Sequence, residues 1–580
     1  MSWTWSRPRA TARQAWRVRS SSLSALRRSR PRFWSWPGAG ALWPGSQSRL
    51  SVRVEAARVV AITAVAAGLI ILFAPPAGDA AAHLYRTYLV DKNILVWDTF
   101  WYRGNYPIFT YSLLYYPVAA LVGNTAATVA GILSAAGAFS VIVLREWGRI
   151  AVWPARAFGV VAAGPLVTGT FPYGLGLAAG LIALVAVQRN KRWLAIGMAV
   201  VTLGLSPLAF AFLVLALAAA ALARPLKRGH LWVGVGLAVL LIVATAAVVG
   251  LGHEGRYPFG GWSLLAVTTV AGCGLALASH APRARVLAAF FALWLAASVL
   301  LFFVPTPFGE TVTRLRYIIF PLMLATVLLA GWRPRWLAAV GLSVAALYNI
   351  VPYAVGMTVQ SLDSRAAEAS FWQPAVDYLR ANNTPNNLVE VVSTENHWEA
   401  YWLPRAGIPL VRGWYRQTDM QRNPLLYAPH ISPEQYRQWL DRNAVRYVVL
   451  PTIRLDVYTG AREASLVRSP RTGLIPVLHA PTLVMYEVPR PTPLLTGPAP
   501  AWITALEHQQ IDGWVQAPGR YELRLEWSPY WRVLSGDACI GAGPHEATIE
   551  LSLARGGSFR LAIDERPHDL VRGFSRPARC

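Results

Sequence analysis

The sequence predicts a polytopic α-helical membrane protein of about eleven transmembrane helices, followed by a C-terminal extracytoplasmic α/β plus β domain. Three observations predict it. Apolar runs of membrane-spanning length recur through the first two-thirds of the 580-residue chain, which is 54% hydrophobic and only 14% charged. Basic residues collect in an N-terminal arm and in alternate short loops. Beyond about residue 357 the apolar runs shorten to strand length, with turn signals between them.

Residues 1–56 read as a disordered, basic, cytoplasmic arm. The segment "SWTWSRPRATARQAWRVRSSSLSALRRSRPRFWSWPGAG" has arginines, no acids, no apolar h-region and no periodic face, so it is not a secretory signal peptide. The formal charge of +25 would suit nucleic acid, but its placement follows the positive-inside rule, so the charge is topological and no nucleic-acid partner is expected.

Residues 57–356 form the transmembrane domain. Apolar runs fall at 57–76, 124–144, 157–171, 172–188, 193–206, 207–223, 231–251, 262–279, 286–304, 317–331 and 336–354. The loops "REWGRIAVWPAR", "QRNKR", "RPLKR", "HAPRAR" and "RPR" are basic and belong in the cytoplasm, while 77–123, "GHEGRYPFGG" and "PTPFGETVTRLRY" belong on the other side. An odd number of spans from a cytoplasmic N-terminus exports everything after about residue 357, giving a multi-pass protein of the plasma membrane. Few ionisable side chains fall in mid-span, which argues against an ion-driven transporter.

The outer loop 77–123 is unusually rich in polar and aromatic residues. Asp79 follows Gly78 and precedes a helical run, so it either caps that helix or serves as a general base for an acceptor hydroxyl. His83 and Arg86 follow at i+4 and i+7, on the same face. Further along, Asp98, Trp101 and the turn at Gly104-Asn105 sit in "WDTFWYRGNYPIFTYSLLYYP", whose rings suit either the membrane interface or the stacking of sugars. On the same side, Glu310, Arg314 and Arg316 precede a span. Arginines there suit either interfacial anchoring or bidentate binding of a lipid-linked phosphate.

Residues 357–490 read as an α/β domain. "ISPEQYRQWLDRNAVRYVVLP" supplies a capping box at Ser432 and Gln435 before a helix, then a strand. The segment "HWEAYWLPRAGIPLVRGWYRQTD" holds His397, Trp398 and Arg412, as either a salt-bridged domain edge or a surface that contacts carbohydrate. Residues 491–580 form a Pro-rich linker and a small β module with strand-period alternation. No metal spacing exists among the three cysteines, and an exported location would permit a Cys539–Cys580 disulfide.

An acid after the first span, a long aromatic outer loop, many further spans and an exported C-terminal domain together resemble the C-type membrane glycosyltransferase superfamily, GT-C. The loop "GDAAAHLYRTYLV", the hairpin "LSPLAFAFLVL" and the exported "VEVVSTENHWEAYW" also resemble an uncharacterised family of actinobacterial integral membrane proteins, some labelled as related to 6-pyruvoyl-tetrahydropterin synthase. The superfamily resemblance implies a GT-C-like fold and inverting transfer of a sugar from a polyprenyl-phosphate donor to an envelope glycan or lipid acceptor on the outer face. Asp79 matches the superfamily's catalytic acid, with His83 beside it. Arg86, Asp98, Trp101, Asn105, Glu310, Arg314, Arg316, His397, Trp398 and Arg412 are the candidate substrate contacts. No cofactor is implied with certainty and a divalent metal is left open, since Ala80 stands where many members carry a second acid. Two alternatives stand beside this one: a non-catalytic envelope protein that binds glycan or lipid through its exported domain, and a lipid or glycan translocator.

Overall fold

In a computed structural model of the chain, the described residues are 51–107, 111–223, 236, 239, 240, 242, 257–304, 306–331, 334–362, 364–545 and 548–564. Most of the expected arm 1–56 and Cys580 fall outside them. The first helix, α1 (Val52–Phe73), begins where the Ser51 hydroxyl accepts the Val54 backbone N–H. Its buried Glu55 is shared by Arg156 at 2.6 Å and Arg58 at 3.2 Å, which keeps that carboxylate compensated.

The segment 77–123 contributes α2 (Ala80–Asp91) and α3 (Tyr115–Val122). The bundle continues through α4 (Asn124–Trp147), α5 (Val152–Val161), α6 (Gly164–Thr168), α7 (Phe171–Gln188), α8 (Arg192–Leu205) and α9 (Pro207–Leu222), then the helices Gly261–Ser279, Arg285–Phe303, Arg316–Leu329 and Arg335–Leu362. Small residues let these helices approach closely. A Cβ on Gly159 would come within 3.1 Å of the Val59 carbonyl oxygen, and the Thr63 hydroxyl donates to the Gly159 carbonyl at 2.8 Å across the same crossing.

Among the described residues, seven segments are long and apolar enough to cross a membrane, so the chain is a multi-pass membrane protein. The expected count of about eleven does not appear as eleven full-length helices. The runs at 193–206 and 207–223 form the shorter α8 and α9, while α4 to α6 belong to one apolar stretch of 45 residues. The run at 231–251 lies largely outside the described residues.

Among the described residues, the C-terminal region holds three four-stranded sheets. The first has the order β1 (Leu388–Val391), β2 (Val445–Pro451), β4 (Leu483–Glu487), β3 (Ile475–Ala480), with β1 parallel to β2 and the other pairs antiparallel. The helix Pro433–Arg442, which leads into β2, carries the capping box at Ser432 and Gln435. The other two sheets are antiparallel. One runs β10 (Ala538–Ala542), β11 (Ile549–Leu553), β8 (Gly519–Leu523), β5 (Leu495–Thr496); the other runs β6 (Ala501–Leu506), β7 (Gln510–Val515), β12 (Gly557–Ile563), β9 (Trp531–Ser535). Alternate residues of both, including Ile511, Leu523, Leu551 and Leu561, meet in one core.

The segment 77–123 is wedged between the bundle and this C-terminal region. The rings of Trp97, Trp101 and Tyr102 are at most 1% exposed, so they face neither lipid headgroups nor open solvent. Trp101 Nε1 donates to the Ala400 carbonyl at 2.9 Å and the Tyr102 hydroxyl to the Tyr415 carbonyl at 2.9 Å. The Tyr106 hydroxyl reaches Ser528 Oγ at 3.0 Å, tying the loop to the β module as well. Gly413 permits this contact, because a Cβ there would lie 2.6 Å from Tyr102 Cε2.

Candidate functional site

The chain reaches Asp79 through a tight crossing with the turn that starts α7. Gly169 adopts φ +80°, and a Cβ there would fall 2.8 Å from the Asp79 nitrogen. The Asp79 N–H donates to the Thr168 carbonyl at 3.0 Å. Asp79 occupies the N-cap position of α2, yet its side chain makes no capping hydrogen bond. The carboxylate turns instead to Arg314, whose Nη2 donates to Asp79 Oδ2 at 3.4 Å. Arg314 lies in the last turn of the 3-10 helix Gly309–Leu315, and its Nη1 donates to the Tyr111 hydroxyl. The Asp79 and Arg314 side chains keep 26% and 18% of their surface.

Burial raises the pKa of Asp79, while the charges of Arg314, His397 and Arg416 pull it down; the net direction is upward. Burial also pushes the Tyr111 phenol up to about 12, so it stays protonated. His83, one turn into α2, has Nδ1 3.1 Å from the Tyr116 hydroxyl, and its buried Nε2 has no hydrogen-bond partner among the described residues. Burial, followed by the charges of Arg314 and Arg86, lowers its pKa to about 3, so the imidazole is neutral.

The C-terminal region closes over this pair. Asn396 Oδ1 and Gln360 Nε2 would lie 3.3 and 3.1 Å from a Cβ on Gly78, the residue before Asp79. His397 adopts a left-handed backbone, φ 52°, with Nε2 3.9 Å from Asp456 Oδ2. Arg416 Nη2 donates to Asp456 Oδ2 at 2.8 Å and its guanidinium lies 4.0 Å from the Tyr458 ring centre. Burial opposes ionisation of Asp456, but the charges of His397 and Arg416 outweigh it and bring its pKa down to about 2. Tyr257 feels the charges of Arg314, Asp79 and Arg416, and burial raises its phenol. The site therefore sets the Asp79 carboxylate among the nitrogen groups of Arg314, His397 and Arg416 and the phenols of Tyr111 and Tyr257, with the Asp456 carboxylate paired to Arg416.

Of the residues singled out from sequence, the structure brings together Asp79, Arg314 and His397, with His83 directly behind them. Arg86 is buried against the rings of Trp101 and Tyr415 and donates to Asn105 Oδ1 at 3.0 Å. Asp98 is fully buried and accepts from the Tyr85 hydroxyl, the Phe100 N–H and His508. Trp398 is packed in a core with Phe371 and Leu403. Arg412 is not brought to Asp79; it is held inside the α/β domain by Glu390, Asp419 and Glu463 at 3.4, 2.6 and 2.9 Å. Glu310 accepts from Ser263 Oγ and the Gly260 N–H at the start of the Gly261–Ser279 helix, while Arg316 donates to Thr313 and lies over Tyr348. Sequence reasoning did not single out Tyr111, Tyr257 or Asp456. Arg416 lies in the same exported segment as His397, Trp398 and Arg412, which the sequence reads as either a salt-bridged domain edge or a carbohydrate-contacting surface.

Among the described residues, no group of three or more His, Cys, Asp and Glu side chains is placed to hold a metal ion.

No family model matches the chain, and no curated protein matches it. Among solved structures, it is similar to a mutant of arabinofuranosyltransferase AftD from Mycobacteria, with a TM-score of 0.46 and 13% identity over 89% of this chain and 60% of that one. The chain thus spans about 60% of that protein's length. It is also similar to ArnT from Cupriavidus metallidurans in the apo state, with a TM-score of 0.36 and 13% identity over 75% of this chain and 98% of that one.

Proposed function

We propose that the protein is a membrane glycosyltransferase that moves a sugar from a polyprenyl-phosphate donor to an envelope glycan or lipid acceptor at the Asp79 end of its bundle. One observation carries this reading. A partly exposed carboxylate of raised pKa is fixed 3.4 Å from a guanidinium that is itself partly exposed. The first group suits a base and the second suits a phosphate. Asp79 takes the proton of the acceptor hydroxyl as that oxygen bonds to the anomeric carbon. The bond from that carbon to the phosphate oxygen breaks, its electron pair leaves with the lipid phosphate, and the configuration inverts. Arg314, with Arg416 from above, offsets the charge that develops on the phosphate. Neutral His83 packs against Tyr111 and helps fix the ring whose hydroxyl Arg314 contacts.

The same reading places the Asp79 end and the C-terminal region outside the cytoplasm, because Arg53, Arg145 and Arg189 gather at the opposite end. The test is transfer of labelled sugar from polyprenyl-phosphate donors by the purified protein in proteoliposomes. Donor-dependent labelling of an acceptor is expected. Glycan binding without transfer from any such donor would instead assign a binding role.

A further inference from the structure

At the end of the bundle away from Asp79, three helix ends leave a cavity of about 600 Å³, lined by Ser51, Val52, Arg53, Val141, Arg145 and Arg189. Arg53 comes from the start of α1, Arg145 from the last turn of α4, and Arg189 from the position that closes α7. Three separate segments thus point cations at one space. None of the three has a carboxylate partner among the described residues. Glu55, close by on α1, is buried and already engaged by Arg58 and Arg156.

Like charges gathered in this way repel, and the carbonyl ends of α4 and α7 offset only part of that repulsion. A phosphate group would satisfy them, since each guanidinium can present two N–H donors to its oxygens. Val52 and Val141 give the cavity an apolar wall, and the cavity lies at the ends of membrane-spanning helices, where lipid headgroups are the phosphates at hand. We infer that this cavity binds the phosphate headgroup of an anionic membrane lipid, in the leaflet opposite the Asp79 site. The inference is independent of the transfer reaction.

Native mass spectrometry of the full chain, released from nanodiscs of phosphatidylglycerol or of phosphatidylcholine, tests it. The wild type should retain phosphatidylglycerol, and phosphatidylcholine should be lost. The double variant Arg145→Gln/Arg189→Gln should retain about tenfold less phosphatidylglycerol. Arg283→Gln, an exposed arginine on another loop, should match the wild type. Equal retention of the two lipids by the wild type overturns the inference without any variant having to fold. Equal retention of phosphatidylglycerol by the wild type and a folded double variant overturns it too. Release of the lipid by millimolar inorganic phosphate would assign the cavity to a soluble phosphate and overturn the lipid source.

Discussion

The Asp79 carboxylate lies 3.4 Å from the Arg314 guanidinium, although 235 positions separate the two in sequence. If Arg314 neutralises the departing phosphate, Arg314→Gln should lower kcat/KM for the donor by about 10² to 10³. Arg314→Lys should recover only part of the loss, because an ammonium cannot hold Asp79 and Tyr111 as a fork does. Steady-state kinetics with varied donor separate these outcomes, and wild-type kinetics in Arg314→Gln would remove the arginine from the reaction.

The pH profile carries a sign. Burial raises the pKa of Asp79 above 3.8, and a base must be ionised, so kcat/KM should fall as pH drops through that raised value. Arg416 favours the ionised form. Arg416→Gln should therefore move the acidic limb to higher pH, and a limb that moves down or stays fixed contradicts an influence of the Arg416 charge on Asp79.

Gly169→Ala tests the backbone crossing. At φ +80°, with the Asp79 nitrogen 2.8 Å from the new Cβ, alanine is strained and the Asp79 turn must shift. We expect a loss of about 1–3 kcal/mol in stability together with a large loss of transfer. Thermal unfolding and the transfer assay, run on one preparation, should show both.

The loop aromatics make an equally direct prediction. Trp101→Ala should cost about 3–5 kcal/mol, because the ring is fully buried and its N–H is bonded to Ala400. Limited proteolysis should then release the C-terminal region faster. An unchanged melting temperature with weakened glycan binding would mean that the ring faces ligand.

Much of this was legible from local pattern. The apolar runs locate α1, α4 and α7 to within a few residues, and Ser432 and Gln435 form the capping box that their spacing announces. What escaped is non-local. Asp79 has the sequence context of a helix cap, and only the fold reveals Arg314 as its partner in place of backbone N–H groups. Trp and Tyr in an outer loop look interfacial until a second domain is found packed over them. Arg412 and Arg416 are equivalent by composition, yet one is locked among three carboxylates and the other pairs with Asp456 and adds its charge to the surroundings of Asp79. Tyr257 joins the site from a loop whose sequence carries no chemical motif.

The most direct test of the account is sugar transfer by Asp79→Asn. The substitution keeps the shape and the contact with Arg314 but cannot accept the acceptor's proton. The account predicts that kcat falls by about 10² to 10⁴ while donor binding and the folded state persist. Transfer at the wild-type rate by a folded Asp79→Asn protein would contradict it.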